Sequence, residues 1–405
     1  MALYNASQLR LPGFKLAVIG CLCAVIVLAM GAFTRLADAG LGCPDWPTCY
    51  GHALWPTNSE EVAIANQAFP DMPVEHDKTW PEMVHRYFAQ ALGYFTIALF
   101  TIAALRRRQP QPVKVISGLL VVNVLMTVLT AIIGVSVEPF AVCSVAITML
   151  VLGYFGVKSG VSSFPFKLPA FILAFIILQG LFGMWTVTLK LWPQVVTAHL
   201  LGGFTTFSLL WLLVLRLNNS FWQLSKSNLQ QLRSLRPLVV GGLIIVFLQI
   251  ALGGWTTSNY AAVACPDLPT CQQQWLPVMN FAQGFNITQH IGPNYLGGTM
   301  NNESRIAIHF SHRIGAIVTT LYLVALVVML FRSVAVPQVR TLGKVVLAVL
   351  ALQVALGLGN IIFQFPVFVA VAHNLVGAFL LVILVTLNHR VFTARLADSS
   401  TNENL

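Results

Sequence analysis

Long apolar runs separated by short, mostly basic polar segments dominate the chain. Ten runs stand out: 14–34, 83–105, 114–134, 140–157, 169–189, 195–216, 237–257, 305–331, 343–363 and 367–388. A hydrocarbon core about 30 Å thick takes roughly 20 helical residues at 1.5 Å each. A backbone in lipid must satisfy its own polar groups, so each run is read as a helix. The pattern predicts an all-α integral membrane protein of about ten spans. The first run follows Arg10 and Lys15 like a signal peptide, but it is longer than a signal's apolar region and is read as a retained span.

Charge orients these helices. Basic residues cluster at Arg10 and Lys15, at Arg106, Arg107, Arg108 and Lys114, at Lys158 and Lys167, and at Arg216, Lys226, Arg233 and Arg236. Further clusters are Arg332, Arg340 and Lys344, then Arg390 and Arg395. With ten spans every cluster falls on one side, so both termini are expected in the cytoplasm. Two long loops, 35–82 and 258–304, then face outward. Only 9% of residues are charged and 57% are hydrophobic, whereas a soluble domain carries about 25% charged residues. The net charge of +10 is thereby explained by topology and does not imply nucleic acid.

The chain repeats itself. Gly31-Ala32-Phe33-Thr34 and Cys43-Pro44-Asp45-Trp46-Pro47-Thr48-Cys49 recur 222 residues later as Gly253-Gly254-Trp255-Thr256 and Cys265-Pro266-Asp267-Leu268-Pro269-Thr270-Cys271. His85-Arg86 recurs as His312-Arg313 at an offset of 227. Gln179, Gly183 and His199 recur as Gln353, Gly357 and His373 at 174. The fall of 53 residues between the last two offsets places an extra segment in the first half, assigned to 114–157 as two additional helices. The repeating unit is thus four helices, and the two units run in the same direction. The halves are taken as 1–236 and 237–405.

Histidine brings chemistry into this picture. His52, His76 and His290 fall in outer loops and His389 at the inner end of the last span; these are read as surface residues. His85, His199, His312 and His373 lie inside spans, two per half on different helices. Intramembrane ionisable groups are costly and normally face the bundle interior. Two imidazoles at one depth can grip a haem iron from opposite faces. The rival reading is a structural histidine bonded to a neighbouring helix. Four, repeated in register, favour two tandem four-helix haem-binding bundles, with sites toward the outer face. His309 stands one turn before His312, where the first half has Glu82 before His85. This asymmetry suggests two sites with different jobs, although a carboxylate at a helix start also suits the helix dipole. Arg86 and Arg313 are expected to pair with haem propionates; snorkelling to headgroups is the alternative. Arg35 and Arg305 are weaker candidates.

Cys43 and Cys49, and Cys265 and Cys271, lie in outer loops, where a bacterium-like cell is oxidising. Two disulfides are expected, with metal ligation as the rival reading. Cys21, Cys23 and Cys143 are read as packing residues.

The segments TRLADAGLGCPDWPTC, EMVHR, QGLFGMWTVT, TAHLLGG, LGGWTTSNYAAVACPDLPTC, HFSHRIGA and AVAHNLVGA resemble the haem A synthase family over nearly the whole chain. The family pattern has eight spans and nothing corresponding to 114–157. The resemblance implies oxidation of a ring methyl of haem O to a formyl group by successive hydroxylations, giving haem A for terminal cytochrome oxidases. It implies haem b on His312 and His373, substrate haem O on His85 and His199, and an acidic catalytic residue at Glu82. A bacterial inner membrane is the expected location. Haem O, the bilayer, haem O synthase, oxidase assembly factors and a second copy of the chain are the candidate partners. The competing readings are a two-haem electron-transfer cytochrome and a haem carrier for oxidase assembly.

Overall fold

The structure, a computed structural model, describes residues 10–106 and 167–397, with isolated positions 114, 115, 118, 146, 147, 150 and 151 between them. The helix pair predicted at 114–134 and 140–157 lies outside the described residues. Among those described, eight helices are long and apolar enough to cross a membrane. They are α1 (Phe14–Leu36), α3 (His76–Arg106), α4 (Lys167–Thr188), α5 (Pro193–Leu217), α7 (Arg236–Ser258), α9 (Asn302–Ser333), α10 (Pro337–Ile362) and α11 (Val367–Thr393). Three shorter helices intervene: α2 (Ser59–Ala68), α6 (Lys226–Ser234) and α8 (Phe281–Gly284). The protein is an all-α, multi-pass membrane protein.

Local sequence explains the helix boundaries. Pro193 and Pro337 open α5 and α10, where a missing N–H costs nothing. The Asn301 side chain accepts the Ser304 N–H at 3.0 Å and caps α9. The second span begins earlier than predicted, at His76, and Pro81 lies inside α3 as its sixth residue, at the cost of one backbone hydrogen bond near the helix start. His76 therefore opens a helix and does not lie in a loop.

The first four long helices form a closed ring: α1 packs on α3 and α5, and α4 packs on the same two. The second four repeat it: α7 packs on α9 and α11, and α10 packs on the same two. The rings meet through α1 and α5 on one side and α7 and α11 on the other. One apolar core runs through both, including Leu210, Leu213, Leu323, Leu326, Leu384 and Leu387. The repeat extends to the backbone. Lys190 and Leu191, after α4, take left-handed conformations, as do Gln364 and Phe365 after α10. In both turns the second residue's N–H closes on a carbonyl five residues back, Leu191 on Thr186 at 2.8 Å and Phe365 on Asn360 at 2.6 Å. Gln223–Leu224 and Arg395–Leu396 pair as a two-stranded parallel sheet (β1 and β2), fastening the chain after α11 to the link between the rings.

Candidate functional site

Each predicted pair of histidines lies within one ring. His85 and His312 stand nine and ten residues after the first residues of α3 and α9. His199 and His373 each stand six residues after the start of α5 and α11. Counted this way the halves agree in depth, whereas the predicted boundaries made the C-terminal pair a turn deeper.

A glycine on the neighbouring helix seats each imidazole. A Cβ at Gly31 would lie 2.8 Å from His85 Cε1, and one at Gly253 3.1 Å from His312 Cε1. A Cβ at Gly183 would lie 3.4 Å from His199 Cε1, and one at Gly357 3.1 Å from His373 Cε1. These four glycines are repeat matches in the sequence, yet glycine is common in membrane helices and their purpose shows only when the helices are brought together.

The ring centres of His85 and His199 are 6.4 Å apart with planes at 89°. Two imidazoles binding one metal from opposite sides, each at about 2 Å, put their ring centres roughly 6 Å apart. Among the described residues no group of three or more His, Cys, Asp or Glu could hold a bare metal ion. A pair of imidazoles suits a metal that brings its remaining ligands with it, as a porphyrin does. His199 Nδ1 and His373 Nδ1 are buried without a hydrogen-bond partner, an unmet need repeated in both halves. The donor set, the glycine seats and these ring nitrogens all fit haem.

Around the histidines the halves differ. Glu82 and His309 occupy equivalent positions and are 4% and 5% exposed. Glu82 is ion-paired with Arg86 and accepts the Cys43 N–H at 3.0 Å. His309 faces the ring of Phe365, 6.4 Å away.

The arginines meet the cysteine loops. Arg86 Nη1 donates to the carbonyls of Asp45 at 3.0 Å, Pro47 at 3.3 Å and Thr48 at 2.7 Å. Arg313 donates to Thr270 at 2.8 Å and Cys265 at 2.6 Å. The propionate role expected for both arginines competes with this loop-holding role. Arg35 crosses between halves, donating to the Thr257 carbonyl at 2.6 Å and stacking on Tyr260. Arg305 donates to the Gly297 carbonyl at 3.1 Å.

Cys43–Cys49 and Cys265–Cys271 are bonded pairs. Within each loop the aspartate organises the turn. Asp45 accepts from the Thr48 hydroxyl and from the Tyr50 and Gly51 N–H groups. Asp267 accepts from the Thr270 hydroxyl and from the Gln272 and Gln273 N–H groups. Those bonds, Thr270 first, hold the Asp267 carboxyl below its ordinary range. Burial pushes the Tyr50 phenol up to about 12.

Cys21 and Cys23 are buried packing residues of α1, as expected; Cys143 lies outside the described residues. His389, read as a surface residue, is buried in α11. Sequence reasoning also missed a contact between halves. The C-terminal outer loop lies over the α4–α5 turn: Tyr295 N–H donates to Lys190, Trp192 Nε1 to Gln289 O, and Gln194 Nε2 to Ile287 O, each at 3.0 Å. No sequence signal predicts that pairing.

These features define a multi-pass helical membrane protein whose two repeated rings each pair histidines across a glycine-seated interior. The chain matches the profile of the cytochrome oxidase assembly family COX15-CtaA over residues 14–138 and 139–385, and it belongs to that family. A relative named Heme A synthase from Shewanella oneidensis is 38% identical over 365 residues, 90% of this chain and 92% of the relative. A second protein of that name, from Caulobacter vibrioides, is 25% identical over 391 residues, 91% and 93% of the two chains.

Proposed function

We propose that the chain is a haem A synthase, an oxidoreductase that converts a ring methyl of haem O to a formyl group through successive hydroxylations. The observation that carries this reading is the His85–His199 pair, seated on Gly31 and Gly183, with Glu82 one turn from His85 on α3. The likeness to the two relatives of that name supports it. A bound haem supplies a redox-active iron and, in the substrate's case, the carbon to be oxidised.

The N-terminal half, 1–236, takes the substrate through His85 and His199, and the C-terminal half, 237–405, holds haem b through His312 and His373. The buried carboxylate supports this division. Oxidising a methyl on an electron-rich ring builds positive charge on carbon, and a fixed anion nearby in a dry site lowers the energy of that charge. The Arg86 ion pair and the Cys43 N–H keep Glu82 in one place. His309, at the matching position, offers no anion.

By the distribution of basic residues, both termini lie in the cytoplasm and the two disulfide loops lie outside an inner membrane. Haem O synthase and oxidase assembly factors are the natural neighbours, since one makes the substrate and the others receive the product.

The test is mass analysis of non-covalent haems extracted from the protein, produced with a haem O synthase in a host that makes no haem A. Haem A or its hydroxylated precursor is the expected result. Unaltered haem O with haem b alone, in a folded preparation supplied with an electron acceptor, would overturn the enzyme reading in favour of an electron-transfer cytochrome or carrier.

A further inference from the structure

The two disulfide loops are built alike. Each has a bonded cysteine pair, an aspartate-centred turn and a helix arginine donating to its carbonyls. They differ at the residue before the first cysteine. The N-terminal loop has Gly42 there, and the C-terminal loop, at the same offset of 222, has Ala264. Both are buried. A loop of this kind therefore folds with a side chain at that position, and its own turn does not call for glycine. The backbone does not call for it either, since the φ of Gly42 lies outside the left-handed region.

What Gly42 allows is a close approach. A Cβ there would lie 2.2 Å from the Lys78 carbonyl oxygen and 2.5 Å from its carbon. Both are backbone atoms in the first turn of α3, so no side-chain rotation relieves the overlap. In an α-helix a carbonyl accepts the N–H four residues on, and for Lys78 that residue is Glu82. The loop thus rests on the turn that carries the carboxylate. From there it governs both carboxylate oxygens. The Cys43 N–H donates to Oε2 at 3.0 Å. Oε1 is paired with Arg86, whose Nη1 donates to the loop carbonyls of Asp45, Pro47 and Thr48. In the C-terminal half Arg313 Nη2 donates instead to the Cys265 carbonyl at 2.6 Å.

We infer that Gly42 is a positioning residue for Glu82: its missing side chain lets the cysteine loop close on the Lys78 carbonyl, and that closure sets the direction of the carboxylate. This rests on the enzyme reading above, in which Glu82 acts on the substrate haem. With alanine at position 42 the loop stands off the helix and the Cys43 N–H leaves Oε2. Glu82 then keeps its charge but is no longer held at one angle.

The experiment compares haem A formation from haem O by purified full-length proteins, with haem content and free thiols measured in each. Gly42→Ala should lower kcat about tenfold with KM for haem O nearly unchanged, both haems bound and both disulfides intact. The same substitution in a Glu82→Ala background should cost nothing further, because a residue that acts only through Glu82 has nothing left to place. Ala264→Gly should leave turnover as it was. Full turnover in Gly42→Ala, or an equal loss with and without the Glu82 carboxylate, overturns the inference and leaves the enzyme reading standing. Loss of haem or of the Cys43–Cys49 bond from Gly42→Ala assigns Gly42 to folding and overturns it too. A second measurement needs no variant at position 42. Amide exchange at Cys43 should be slower in the unsubstituted protein than in Glu82→Ala, with Cys265 alike in both, and equal exchange at Cys43 sinks the inference. If the unsubstituted protein forms no haem A, the enzyme reading itself fails and the inference falls with it.

Discussion

In the N-terminal ring a buried carboxylate, Glu82, stands one turn before the first histidine and is tied through Arg86 to the disulfide loop outside. In the C-terminal ring the same position holds His309, packed on Phe365 and tied to no such pair. Yet the glycine seats, the left-handed turns, the aspartate-centred loops and the loop-holding arginines are the same in both. A duplicated unit keeps in both copies what the shared task demands and changes what the copies do differently. On the haem reading proposed above, holding a flat ligand between two imidazoles is the shared task, and the charge beside it is the distinction.

The largest expected effect breaks the similarity outright. His85→Ala or His199→Ala should abolish haem A formation, and His312→Ala or His373→Ala should remove one bound haem; haem content per chain and extracted haem type check both. The next effect is graded by geometry. Overpacking an interior costs about 1–3 kcal/mol, roughly a tenfold to hundredfold loss in affinity. Gly31→Ala, with the closest approach at 2.8 Å, should weaken haem retention most, and Gly183→Ala, at 3.4 Å, least. Equal retention by all four alanine variants in a haem-loss assay would mean the glycines are not seats.

The distinction itself is probed by charge. Glu82→Gln should reduce haem A formation on the order of 10²-fold with both haems retained, while His309→Ala should leave turnover nearly as it was. Full turnover in the Glu82→Gln protein would remove that residue from the chemistry. The smallest effect concerns the outer loops. The folded carboxyl of Asp267 titrates lower than it does unfolded. Its contribution is therefore complete above the unfolded aspartate value of about 3.9 and is lost as pH falls through the lower folded value. Hydrogen exchange at the Gln272 and Gln273 amides should stay slow, relative to Asp267→Asn, until that acidic range is reached.

Much of this was legible in the sequence. Spans follow from apolar length, and the halves from the repeated cysteine motif. The histidine pairs followed from the cost of burying imidazole in lipid. What escaped depended on approach between helices. Arg86 and Arg313 are visibly out of place for a positive-inside chain, but the carbonyls they meet belong to loops 38 to 48 residues away. Gly42 reads as one more loop glycine until Lys78 is brought against it. The early start of α3 was hidden because Pro81 reads as a boundary, whereas the helix runs through it from His76. His389 was misplaced because its position at a helix end says nothing of the neighbouring ring that covers it.

The loop contacts across the α4–α5 turn bear on how the protein is made. Synthesis delivers the N-terminal ring first, but Lys190, Trp192 and Gln194 find their partners only in residues 287–295. The half that is translated first is thus completed last, once about a hundred further residues have been threaded and folded, and an early-terminated product would carry the His199 helix without its roof. The N-terminal segment on its own therefore lacks the loop that covers its α4–α5 turn.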